Sequence, residues 1–357
     1  MSCHCKVISG PCAITWNDTT FLSQGDVTIR ANIEHFEIMA DYRGKLDARL
    51  KSLAYTVSFT PVGVLNTMTG IIGHISSLEV GSDIYRPSGA DLTLTINPLT
   101  NQGYTAGDAG KVYTFLKAAL TGIPSLKLST QSQLMGDITF TCIRGTGTEQ
   151  GDANSFWTVA NYDSGEVAGI ITDAGLTNDT IITEAWEGTW ANSLGAPGLN
   201  NPWYRFDTLE GFTVSFDRQI DDVKTDNCGF IGSTLQNMSA KITGIPCIRT
   251  GNDIAPDDDP GTYGFMEDTL LGKHMFNDES GLAIGASLAG TSNAYSAAYG
   301  GTDRKLGLYS SGGRLLTFAR ACLTGTGVRY GAQPLRQGEV EWTAFITPGS
   351  QLVQYDD

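Results

Sequence analysis

Acidic side chains are the first candidates for chemistry in this chain. Glu34, Glu37 and Asp41 cluster in its first half, and Asp217, Asp221, Asp222 and Asp226 in its second. Paired carboxylates can share acid and base roles when their environments push their pKa values apart. These two clusters recur at strand and turn positions of two similar stretches, with no nucleophile beside either. Recurrence of that kind suits a charged surface better than one specialised site. The run Asp257-Asp258-Asp259 lacks the alternating ligand spacing of a calcium loop and reads as solvated loop. The four histidines, His4, His35, His74 and His274, form no H-E-x-x-H pair. His74 and His274 occupy similar places in the two halves and read as helix-surface or capping residues.

Of the seven cysteines, Cys142 and Cys322 lie in apolar strand-like runs and read as buried thiols. No C-x-x-C pair occurs, and Cys3-His4-Cys5 has no second ligand pair to complete a metal site. There is no G-x-S-x-G elbow and no phosphate-binding G-x-x-x-x-G-K-[ST] loop. Trp157, Trp186, Trp190 and Trp203 suit a sugar platform in principle, but core or interface positions suit them better. The expectation is a protein that is not an enzyme, with no catalytic residue, no metal and no cofactor.

The formal net charge is −15, spread along the chain. Phosphate binding rests on Lys and Arg, so a nucleic-acid-binding surface is excluded. An acidic wall past which DNA moves without sticking remains compatible, beside plain solubility. No apolar run approaches the ~20 residues of a membrane span, and the first ten residues do not resemble a secretory signal. The 43 glycines, with abundant Ile, Val, Phe, Tyr, Trp and Thr, favour strands joined by tight turns.

The elements that must position these residues occur twice. "TFLKAALTG" (Thr114–Gly122) is echoed by "TFARACLTG" (Thr317–Gly325). "DYRG" (Asp41–Gly44) is answered by "DNCG" (Asp226–Gly229), and each Gly is followed at equal distance by a proline, Pro61 or Pro246. Gly136, Asp137, Ile138 and Phe140 correspond to Gly338, Glu339, Val340 and Trp342. The order of blocks is the same in both halves, which indicates a duplication with a separate core in each copy. The expected boundaries are copy one at 1–145, a linker at 146–182, and copy two at 183–357 with an acidic insertion near 252–261. Alternation predicts strands at Val27–Ile33, Leu53–Phe59, Asp91–Pro98 and Ile138–Ile143, with strands also across the echoed segment. Helical spacing predicts a helix at Val64–Ile75, with a partner near Phe265–Phe276. The fold class is mainly β: two tandem rolled β-sandwiches or half-barrels, each with one flanking helix.

In this order of strand, D-x-x-G turn, long strand, helix and closing strands, the chain resembles the major tail tube proteins of long-tailed bacteriophages, in their duplicated, two-domain form. The resemblance implies a structural virion protein and no catalysis. It implies homotrimeric, pseudo-hexameric rings, stacked into a tube through which DNA passes during ejection without being bound. The implied partners are further copies of the chain and the terminator, tape measure and distal tail proteins, with no membrane. The implied place is the virion tail, assembled in the host cytoplasm. On this reading Glu34, Glu37, Asp41, Asp217, Asp221, Asp222 and Asp226 line an acidic lumen. The alternatives are another duplicated β-rich virion protein (decoration, tail-tip or baseplate component) and a carbohydrate-binding β protein.

Overall fold

The computed structural model describes residues 5–8, 12–40, 44–62, 65–98, 110–129, 136–146, 155–162, 185–191, 204–225, 229–247, 305–318, 320–325, 339–346 and 351–356. Asp41, Asp226, the Asp257–Asp259 run and the expected second helix lie outside them. The described part is mainly β, with one helix, and its strands pair antiparallel.

In the first half the strands are β1 (Cys5–Ile8), β2 (Cys12–Trp16), β3 (Thr19–Leu22), β4 (Val27–Ala40), β5 (Gly44–Phe59), β6 (Leu94–Pro98), β7 (Gly110–Phe115), β8 (Lys117–Gly122), β9 (Leu126–Leu128), β10 (Ile138–Ile143) and β11 (Trp157–Tyr162). The helix α1 spans Leu65–Ser77. The second half holds β12 (Trp186–Ala191), β13 (Tyr204–Thr225), β14 (Gly229–Cys247), β15 (Lys305–Ser310), β16 (Leu315–Phe318), β17 (Ala321–Gly325), β18 (Val340–Phe345) and β19 (Gln354–Asp356).

Two sheets belong to the first half, ordered β1-β4-β5-β10-β8 and β11-β7-β6-β2-β3. A third, in the order β17-β18-β14-β13-β12-β15-β16-β19, carries the second half. It consists of two four-stranded runs joined because β13, at 22 residues, is long enough to serve both. The result is a propeller-like set of four small antiparallel blades, two from each half.

The strand orders of the halves match run for run. β4-β5-β10-β8 corresponds to β13-β14-β18-β17, and β2-β6-β7-β11 to β12-β15-β16-β19. Register matches as well. Val57, Phe140 and Leu120 lie opposite one another as Ile242, Trp342 and Leu323 do. Trp16, Leu94 and Phe115 form a row, and so do Trp190, Leu306 and Phe318. Even the irregularities coincide. In the first hairpin, Lys51 and Leu46 are the extra residues that bulges leave unpaired; in the second they are Gln236 and Ile231. A further bulge leaves out Thr121 in β8 and Thr324 in β17. Their hydroxyls meet Thr141 at 2.8 Å and Thr343 at 2.9 Å, so each bulge is held by the same side-chain hydrogen bond.

The echoed segment is a corner. β7 ends at Phe115 in one sheet and β8 begins at Lys117 in the other, and β16 and β17 divide in the same way. The stretch 146–182, expected as a linker or insert, contains β11, which pairs along β7 as an edge strand. Two expectations need correction. The long strands extend well beyond the predicted Val27–Ile33 and Leu53–Phe59 segments, forming hairpin arms of 14 and 16 residues. Lastly, the buried side chains of both halves form one continuous cluster rather than two separate cores.

Candidate functional site

The two long hairpins carry the acidic residues. On β4, Glu34 and Glu37 are separated by an odd number of steps, so a strand places them on opposite faces. On β13, Asp217 and Asp221 share one face and Asp222 takes the other. With the hairpins matched, Glu34 corresponds to Gln219, between Asp217 and Asp221, while Glu37 corresponds to Asp222. The candidates therefore form two groups, one on each face, rather than a single lining.

Their partners differ. Glu34 Oε1 accepts from Lys224 Nζ of the second hairpin at 3.2 Å. That hydrogen bond, and one from Ser52, hold its carboxyl below the usual carboxylate range. Glu37 is lowered by its bond from Lys45, with His35 3.7 Å away. Asp222 accepts from the Ser233 hydroxyl at 2.8 Å. Asp217 and Asp221 are exposed. Glu34 and Glu37, each held ionised by a lysine, are poor general acids at neutral pH, and the set forms an anionic surface.

The sequence reading gave His74 a helix-surface or capping role; it is a core residue. It is 2% exposed, with its ring edge-on to Trp16 at a centroid distance of 4.5 Å. Cys12 and Cys142 are buried thiols, and burial raises both pKa values, Cys12 to about 12. Among the described residues no three His, Cys, Asp or Glu side chains gather as metal ligands would. Trp186 is buried and Trp157 packs partly against the core, so neither offers an open ring to a sugar.

Sequence reasoning missed the junction between the halves. Backbone groups of Gly81, Ser82 and Ile84, after α1, pair with Leu235 and Ser233 on the edge of β14 left uncovered by β18 (Gly81 N to Leu235 O, 2.8 Å; Leu235 N to Ser82 O, 3.0 Å; Ile84 N to Ser233 O, 3.1 Å). β9 pairs with β13 across Leu126–Leu128 and Phe212–Val214. Lys117, only 4% exposed, donates to the Ile231 carbonyl at 3.1 Å. Tyr85 meets Phe230 edge to face at 5.9 Å. Burial raises the Tyr85 hydroxyl pKa strongly, while burial lowers that of Arg218 to about 10. The residues after the helix, Leu78–Tyr85, form no continuous apolar run and carry no mark of their destination. Compared with known proteins, the chain matches no family model and no curated protein.

Proposed function

We propose that the chain is a structural, self-assembling protein made of two tandem copies of a rolled β-sandwich with a flanking helix, and that it serves as a phage tail tube subunit. The observation that carries the reading is the register-for-register correspondence of the halves, down to the bulges at Lys51 and Gln236, Leu46 and Ile231, and Thr121 and Thr324. Two matching units joined by different surfaces make a heterologous contact. Repeated between chains, such a contact gives a ring if its rotation closes and a filament if it does not. Three chains would present six similar units around a bore, and rings would stack into a tube. The anionic hairpins suit a conduit past which DNA phosphate slides without binding.

Negative-stain microscopy of the purified full-length chain tests the reading. The expected images are tubes whose end-on views show six similar lobes, with a subunit mass giving three chains per ring. Rings that never stack would favour another virion component. A monodisperse monomer at high concentration would overturn the assembly reading altogether.

A further inference from the structure

The second hairpin is covered by the first half, whereas the first hairpin is open at the same place. Leu235 on β14 is fully buried, sealed by Gly81–Ile84 along its backbone edge. Its counterpart in the matched hairpins is Leu50 on β5, paired with His35 as Leu235 is paired with Ile220. Leu50 is 61% exposed, and Ile33, on the neighbouring strand, is 58% exposed. β10 covers β5 only over Tyr55–Phe59. Among the described residues no backbone group pairs with that edge at Ala48–Leu50. Two large aliphatic side chains beside an open strand edge form a docking surface of the strand-addition type.

The segment that would correspond to Gly81–Ile84, after the expected second helix, lies outside the described residues; on the described strands the covering side does have counterparts. Lys117, which holds the Ile231 carbonyl, corresponds to Arg320 before β17. β8 and β10, beside the junction, correspond to β17 and β18. The second half thus carries a matching cation on matching strands, and the first hairpin carries the matching acceptor edge. We infer that the β5 edge at Ala48–Leu50, with Leu50 and Ile33, is the docking site for the second half of another copy of this chain. The contact between chains repeats, with the halves exchanged, the contact that joins the halves within one chain. On the other margin of the hairpin, β1 pairs with β4 only over Val27–Arg30. The inference rests on the two-copy, self-assembling reading above and adds the surface by which copies join.

The test is sedimentation velocity on the full-length chain across a concentration series, with electron microscopy of the same samples. The variants are Leu50→Glu and Ile33→Glu, with Val159→Glu, another exposed aliphatic on β11, as control. Both docking positions are exposed, so circular dichroism spectra and melting temperatures should match wild type. Each docking variant is expected to raise the concentration needed for half-association by about tenfold or more, the effect of losing one buried aliphatic contact. The control should associate like wild type. Tubes that persist in Leu50→Glu and Ile33→Glu would overturn this inference and leave the tube reading standing. Finite oligomers that dissolve in both variants but never form tubes would support the inference and remove the tube reading. A wild-type chain that never associates would overturn both.

Discussion

His74 sits where water does not reach, beside Trp16, and neither ring nitrogen has a hydrogen-bond partner among the described residues. Burial, and after it the charge of Arg218, lowers its pKa from 6.5 to about 3. Between those values the unfolded chain takes up a proton that the folded chain refuses. Stability is therefore lost as pH falls from ~6.5 toward ~3, by about 2–3 kcal/mol at pH 4.5. His74→Phe keeps an aromatic ring against Trp16 and removes the titration. Its melting temperature is expected to fall less than that of wild type between pH 7 and 4.5, followed by calorimetry. Identical pH slopes would mean that His74 already carries its proton in the fold. The sequence could not show this burial. The apolar stripe Met68, Ile71, Ile72 and Ile75 predicted one buried face of α1, but β2, from a distant part of the chain, covers His74 as well.

The elements were legible to different depths. α1 appeared at its expected place because its apolar spacing is local information. The hairpin arms were seen only in part, because bulges at Lys51 and Leu46 shift the alternation, and a two-residue period cannot be followed through an inserted residue. β11 lies in the stretch read as a linker or insert, where Phe156–Asn161 is apolar enough to pack, but nothing in those residues names β7 as the partner. Crossings between elements carry sharper demands. Gly211 has φ of +80°, and a Cβ there would collide with the Leu128 carbonyl of β9. Gly313 has φ of +95° with open space around it. Gly313→Ala should therefore cost only the backbone term, about 1 kcal/mol. Gly211→Ala should cost at least ~2 kcal/mol, because it must also push β9 off β13. Urea titration of the two variants separates these terms. Equal losses would show that β9 can move aside freely.

At the scale of the molecule, the repeat was legible and the shared core was not. Echoed segments show that the two halves are alike, but they say nothing of how closely the halves pack. The buried cluster runs from Trp16 and Phe140 in the first half to Phe212 and Trp342 in the second. The last strand also returns to the first half, where the Tyr355 hydroxyl accepts from Thr69 of α1 at 3.4 Å. Such a core should melt as one body. Near-ultraviolet circular dichroism and calorimetry are expected to give a single coincident transition. Two resolved transitions would show that each half is stable alone and that the junction contributes little. The acidic candidates were the least legible feature: the repeat predicted their recurrence, but strand parity and the partners Lys224, Lys45 and Ser233 come from tertiary placement.

β1 also acts at this scale. It lies on β4 at Val27–Arg30, and β9 lies on β13 at Phe212–Val214, the matching positions. One hairpin is therefore capped by β1 of its own half and the other by β9 of the first half. A row of identical units would leave its first member with a bare edge, open to any passing strand. The leading segment acts as a bookend: it closes that margin without borrowing from another molecule. A newly made chain can thus wait in solution with β4 shut over Val27–Arg30, while the bare stretch of β5 is left to find a mate.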